Sequence, residues 1–356
     1  MAQPLVAQPL VARQDNDLQE RLQAAVDKTV GDECPGIVVV ILQDGQQVCN
    51  VARGVRKVDE PENLITVDDK MHLGSCTKAM TATLLGILVQ EGTLSWDDTL
   101  KERLPVLASK IAEDYHDATL WQLVTHRGAV KGDAPFWLNR GAATHENRLE
   151  IVQAGLTERP QDLEVGKFNY SNTSYIVAAL FAEAATEKTW EALMAERLFK
   201  PLKMETAGFG APDKRKPATQ PWGHIGLQTK LNPVNLDNAP SLGPAGTVHC
   251  SVSDWARFVA LHLDRECQNH DLLTPETLKK LHTPYDGAGP EYAAGWGLLE
   301  DGDGIGHSGS NNFWFSSVAA YPESGHAVLI ATNGPLTKVM DGVLELEEEI
   351  VGWLQD

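Results

Sequence analysis

Long apolar runs are missing from this chain of 356 residues. No stretch reaches the roughly 20 residues that span a bilayer, and the first residues lack the basic start and continuous apolar core of an intact signal peptide. Metal-binding spacings are missing too. Cys34, Cys49, Cys76, Cys250 and Cys267 include no pair separated by two residues, there is no His-Glu-x-x-His, and the other histidines show no ligand spacing. Zinc and thioredoxin-like chemistry are therefore set aside, and neither a metal nor a cofactor is expected. Five cysteines cannot all pair. A tight turn at Asp44-Gly45 sets Cys49 opposite Val40 and away from Cys34, so a disulfide is not favoured and the cysteine count leaves the compartment undecided. Basic residues are few, 30 Lys and Arg against 49 Asp and Glu. The resulting net charge of -19 repels phosphate backbones and anionic lipid, which excludes nucleic-acid and membrane-surface partners.

What is present is a globular composition, with 42% apolar residues to build a core. Residues 1–14 contain a repeated five-residue unit, "AQPLVAQPLVA" (Ala2 to Ala12), expected to be a disordered arm or leader remnant outside the fold. Asp17 and Glu20 form a capping-box start, and Leu18, Leu22, Val26 and Val30 then recur at helical spacing up to Gly31. Two β-rich runs around Asp44-Gly45 predict a hairpin. From about Met71 to His282 the pattern is mostly helical, cut by clusters such as Gly243 to Gly246. The last part returns to strands, in "AGWGLLED", "GIGHSG", "FWFSSVAAYPE" and "GHAVLIATN". A closing helix then carries an apolar stripe of Val343, Leu346, Ile350 and Trp353, with Glu345 and Glu347 to Glu349 largely on its other side. This order predicts an α+β fold in which both chain ends build one antiparallel sheet flanked by helices. The expected single catalytic domain, 15–356, divides into an α/β part (15–62 and 290–356) and an inserted, mostly helical part (63–289), with a ligand cleft between them.

Three short stretches carry chemistry. In "HLGSCTKAMTATLLGILVQEG", residues 72 to 92, Lys78 follows Ser75 by one helical turn inside an apolar run that includes Met80, Leu84, Leu85, Ile87 and Leu88. A buried ammonium needs partners or must shed its proton, so an amine within reach of a serine hydroxyl at a helix start points to an activated nucleophile. Tyr170-Ser171-Asn172 precedes a second apolar helix. There Tyr170 can exchange protons with Ser75 and a leaving group if cations lower its pKa toward neutrality, and Asn172 can accept from Lys78 while donating to a substrate carbonyl. Taken alone, that tripeptide is also an ordinary turn and helix cap.

In "GIGHSGSNNFWF", residues 304 to 315, a dinucleotide fingerprint is matched formally but followed by β-rich sequence, which removes it. A nucleophile elbow centred on Ser308 lacks its last glycine and has only Glu323 and His326 downstream as acid and histidine. The third reading places His307-x-Gly309 on an edge-like strand lining the cleft, where Gly309 allows close approach of substrate backbone. Cys76 reads as a small buried side chain, since a neighbour on a helix points about 100° away. His126 and His249 read as structural hydrogen-bonding residues. Trp137, Trp222, Phe313 and Trp314 can wall an acyl pocket, although aromatics in a domain this size are more often core.

The ordered set Ser75-Cys76-Thr77-Lys78, Tyr170-Ser171-Asn172 and His307-Ser308-Gly309 resembles the serine β-lactamase and penicillin-binding-protein superfamily, especially its class C-like branch of esterases, D-aminopeptidases and DD-peptidases. The connecting segments "GTLSWDD", "WQLVTHRG", "LEVGKFNYSN" and "GPAGTVHCSVSDWARF" extend the resemblance from about residue 17 over nearly the whole chain. It implies a β-lactamase/transpeptidase-like fold. It also implies Ser75 as the acylated nucleophile, Lys78 and Tyr170 as its base and acid partners, Asn172 orienting lysine and substrate, and the N–H groups of Ser75 and Ser310 as an oxyanion hole. His307 stands where β-lactamases of this branch usually carry lysine, and a neutral imidazole binds a substrate carboxylate less strongly. The expected activity is that of a serine hydrolase of esters, small amides or peptides, with a β-lactamase or a slow-turnover penicillin-binding or regulatory protein as the alternative. By the same analogy the expected location is periplasmic or secreted, with a cytoplasmic one still open.

Overall fold

The computed structural model describes residues 16–29, 33–133, 141–213, 215, 218–227, 230–287, 291–299 and 302–355. Trp137, the residue 1–14 arm, Val30 and Gly31 lie outside them. Six strands form the main sheet: β1 (Gly36–Gln43), β2 (Gln46–Gly54), β3 (Gly297–Leu298), β4 (Ile305–Ser310), β5 (Phe315–Tyr321) and β6 (His326–Thr332). Their order is β2-β1-β6-β5-β4-β3 and every pairing is antiparallel. Both ends of the sequence therefore contribute to one sheet. Strand β1, "GIVVVILQ", is buried almost throughout because it lies between β2 and β6 with side chains packed on both faces.

Alternation along β1 feeds two separate cores. Ile37, Val39 and Ile41 join Leu18, Leu22, Val343, Leu346 and Ile350, which come from the terminal helices α1 (Asn16–Thr29) and α5 (Leu336–Gln355). Val38, Val40 and Leu42 face the larger core with α2 (Thr77–Gln90), α3 (Asn172–Thr186) and α4 (Val252–Leu263). Burying a strand residue of this size is worth about 1.5–3 kcal/mol, so a one-residue slip of β1 would exchange the two sets and lose complementarity on both sides.

Several sequence expectations need correction. Cys49 lies opposite Ile41, and Val40 faces Asn50, because the register shifts between Ile41 and Leu42. The turn at Asp44-Gly45 is present, but the bulge defeats counting outward from it. All five cysteines are free thiols. Asp17 sits in the first turn of α1 rather than ahead of it. Glu347, placed by the stripe with the solvent-facing acids, instead turns toward the sheet, where its carboxylate accepts from Ser317 Oγ at 2.9 Å; burial raises its pKa to about 7. Beside its helices, the middle of the chain carries short strands. It includes a small antiparallel sheet of Lys70–His72, Val248–Ser251 and Gly208–Phe209, and a hairpin of Gly223–Leu227 with Lys230–Val234. Among the described residues no helix is long and apolar enough to cross a membrane.

The two halves meet where the turn Gly74–Cys76, just before α2, lies against the end of β4. Gly74 has a φ of 49°, and a Cβ there would stand 2.2 Å from Ser310 N. A Cβ on Gly309 would stand 2.2 Å from Leu73 O and 2.6 Å from Ser75 N. The space above Gly309 is thus taken by the serine turn itself, and not by substrate backbone as its sequence context suggests. Because these neighbours are main-chain atoms, no rotamer change relieves the clash. Gly309→Ala is expected to destabilise the protein by about 1–3 kcal/mol, the range of overpacking in a filled site, read from the shift in urea midpoint at unchanged slope. A midpoint equal to wild type would show that the turn does not rest on β4.

Candidate active site

The site is built around Lys78, whose side chain is fully buried in the first turn of α2. Its Nζ lies 3.0 Å from Ser75 Oγ, 2.8 Å from Asn172 Oδ1 and 2.8 Å from the Ala245 carbonyl. Burial lowers its pKa from 10.5 to about 7. The partners sort the protons. Asn172 Oδ1 and Ala245 O can only accept, so a neutral amine spends its two N–H groups on them and turns its lone pair to the Ser75 hydroxyl. The orientation of Asn172 is fixed from its far side, where Nδ2 donates to Asp133 Oδ1 at 2.9 Å.

Tyr170 enters from the loop ahead of α3, which Ser171 caps by accepting from Ser174 N. The tyrosine hydroxyl hydrogen-bonds to Ser75, and its ring lies 4.7 Å from Lys78 Nζ. The sequence argument makes proton exchange by Tyr170 conditional on cations pulling this phenol toward neutrality, and its surroundings push it the other way. Although 38% of the residue is exposed, crowding around the hydroxyl raises its pKa, and a lysine that is itself half deprotonated near pH 7 cannot offset that. Tyr170 is therefore a neutral phenol in the resting site.

His307 sits on β4 with both ring nitrogens engaged. Nδ1 is 2.6 Å from its neighbour's carbonyl, Ser308 O, and Nε2 is 3.0 Å from Tyr292 Oη. Burial holds its pKa down to about 3, so it is a neutral imidazole. It presents no charge to a substrate carboxylate. Gly309 and the Ser310 nitrogen lie against Gly74 and Ser75 as described above. The Ser310 hydroxyl is occupied within its own turn, donating to Trp314 O at 2.6 Å and accepting from Asn312 N at 2.8 Å. That leaves its main chain as the part able to serve the site. Cys76 is buried behind the serine, with Sγ 3.3 Å from His307 O and 3.4 Å from Ser316 Oγ, and burial pushes its pKa to about 12. A thiol so placed is inert.

His126, Tyr175, Tyr292, Ala245 and Asp133 are here too, and sequence reasoning assigned none of them to the site. His126 has a φ of 60°, unusual for a residue with a side chain. Its ring centre lies 4.5 Å from that of Tyr170, 5.3 Å from Tyr175 and 4.8 Å from Tyr292, while its Nδ1 accepts from Ser171 N. It thereby holds the Tyr170 loop from behind. His249 bonds to Gly210 O, away from the serine. Trp314 is buried beside His72, and Trp222 packs under Lys57, which makes both structural. Phe313 is partly buried against the larger core.

Comparison with known proteins follows the same lines. The chain is 27% identical over 314 residues to penicillin-binding protein 4 of Amycolatopsis lactamdurans, covering 84% of this chain and 81% of that one. It is 24% identical over 341 residues to the unguisins hydrolase ungD' of Aspergillus campestris, covering 90% of this chain but only 61% of the relative. Among solved structures, D-alanine carboxypeptidase AmpC of Burkholderia cenocepacia superposes with a TM-score of 0.77 at 20% identity, over 95% of this chain and 99% of its own. That likeness confirms the β-lactamase/transpeptidase-like fold. The family model described as Beta-lactamase matches residues 19–349, and the chain belongs to that family.

Proposed function

We propose that the protein is a serine hydrolase that forms an acyl-enzyme on Ser75 and acts on esters, small amides or short peptides. The observation that carries this reading is the Lys78 amine, fully buried and 3.0 Å from Ser75 Oγ, with a pKa lowered to about 7. A base poised near the working pH takes a proton most effectively. In acylation Ser75 Oγ attacks the carbonyl carbon and its proton passes to Lys78 Nζ. The oxyanion forms against the backbone N–H groups of Ser75 and Ser310. On collapse the leaving oxygen or nitrogen takes the Tyr170 hydroxyl proton, and Lys78 returns its own proton to the phenol. A water repeats the sequence on the acyl-enzyme, with Ser75 as leaving group.

The hydrolase and carboxypeptidase names of the relatives support this chemistry, and the neutral His307 weighs against β-lactam turnover as the main activity. A β-lactam presents a carboxylate beside its scissile amide, and here the position across from the serine carries no cation. The slow-turnover alternative uses the same serine but stops at the acyl stage.

Ser75→Ala is expected to abolish the fluorophosphonate adduct seen by intact-mass spectrometry and to lower p-nitrophenyl butyrate turnover at least about a thousandfold. An adduct that persists in the variant would assign the chemistry to another serine. With the same ester, kcat/KM is expected to rise as pH passes through about 7, because Lys78 acts in its neutral form and protonation below that value removes the base. His307, with a pKa near 3, adds no second limb between pH 5 and 8. A profile flat over that range would remove Lys78 from the role.

A further inference from the structure

The turn that carries the nucleophile is braced from behind by a buried imidazole. His72 ends the short strand Lys70–His72, is fully buried, and accepts through Nδ1 from Gly74 N at 3.1 Å. A ring nitrogen that accepts carries no proton, so the ring proton is on Nε2. Nε2 lies 2.9 Å from Asp237 Oδ1, bent off the line of a full hydrogen bond. The same carboxylate oxygen accepts from Asn311 Nδ2 at 2.9 Å and from Asn238 N at 2.6 Å.

These contacts tie together the two halves of the oxyanion hole invoked above. Gly74 precedes Ser75, whose N–H is one donor, and Asn311 follows Ser310, whose N–H is the other. Asn311 is buried as well, and its Oδ1 accepts from Phe313 N at 3.2 Å, which closes the turn after β4. Asp237 therefore reaches one donor through His72 and the other through Asn311. The imidazole stands between the carboxylate and the serine turn, so the negative charge lies behind the hole and not in it.

Holding two turns together needs only a neutral acceptor. The Asp237 side chain is 9% exposed and its Oδ2 has no partner among the described residues, a desolvation cost that packing does not offset. What the charge adds is orientation of the ring. It favours the tautomer with Nε2–H toward Asp237 and the Nδ1 lone pair toward Gly74 N. Placement matters here because an oxyanion donor acts within about 2.7–3.1 Å of the developing charge, and a misplacement of about 1 Å can cost about a hundredfold in rate.

We propose that His72 and Asp237 are positioning residues that hold the N–H groups of Ser75 and Ser310 in register, with the Nδ1 lone pair of His72 as the working atom. This rests on the serine-hydrolase reading and adds to it two residues set behind the reacting atoms.

The test separates the two ring nitrogens. An asparagine Oδ1 stands as far along the side chain as Nδ1, whereas a glutamine amide stands one bond farther out, at the place of Nε2. His72→Asn therefore keeps an acceptor for Gly74 N, and His72→Gln does not. With p-nitrophenyl butyrate, His72→Gln is expected to lower kcat about 30-fold or more, and His72→Asn to recover at least about tenfold of that loss. Asp237→Ala is expected to lower kcat about tenfold or more. In His72→Gln and Asp237→Ala, KM stays within about threefold of wild type, because acylation and deacylation use the same hole. Equal losses in His72→Asn and His72→Gln, or a kcat in His72→Gln within about twofold of wild type, would overturn the inference while leaving Ser75 as nucleophile. A second measurement needs no variant. In the wild-type chain with 15N-labelled histidine, the His72 ring, assigned through its backbone correlations, is expected to show an unprotonated Nδ1 and a protonated Nε2 at neutral pH. A proton on Nδ1 would overturn the inference whatever the variants do. Wild-type turnover that is absent, or that persists in Ser75→Ala, would overturn the serine-hydrolase reading and this inference with it.

Discussion

The arrangement depends on the desolvation of one ammonium group. Helix α2 is buried over nearly its whole circumference, and Lys78 is carried into that apolar setting by the helix itself. Isolated there, the charge would cost several kcal/mol. Three elements offset that: the Gly74–Cys76 turn supplies Ser75, the start of α3 supplies Asn172, and the Gly243–Gly246 turn supplies the Ala245 carbonyl. The compensation is incomplete, and the remainder appears as a pKa near 7. Structural necessity and catalytic competence thus have one cause.

The second constraint is steric. Ser75 lies between the helical region and β4, and the junction closes only because Gly74 and Gly309 bring no side chains to it. The main sheet in turn is held from its far face by the two terminal helices, whose apolar residues meet the alternate side chains of β1. A line of packing therefore runs from both chain ends through the sheet to the nucleophile. On the sheet side the polar groups are neutral and internally satisfied, as with His307 and Tyr292.

Much of this was legible in the sequence because it resides in local pattern. Ser75 and Lys78 stand at helical spacing in an apolar run, Asn172 follows a helix cap, and β-rich segments at both ends announce the shared sheet. What was not legible depends on three-dimensional neighbours. The phenol of Tyr170 shifts upward because its surroundings desolvate it, and no residue type predicts that sign. Cys49 misses its expected partner through a single bulge. Glu347 follows a helical period that reads as solvent-facing but meets Ser317 on the sheet face beneath its helix. Tyr292, His126 and Asp133 are separated from Ser75 by long stretches of chain, and only folding makes them its neighbours.

The central claim is that Lys78 is an amine near half-neutrality at pH 7 in the resting protein. Its most direct test is an NMR titration of the intact chain carrying 13C at the lysine ε-carbons, with Lys78 assigned by its absence in Lys78→Met. The account predicts one ε-carbon resonance that titrates with a midpoint near 7, well separated from the remaining lysines. A Lys78 resonance that moves together with the others, above about pH 10, would contradict it.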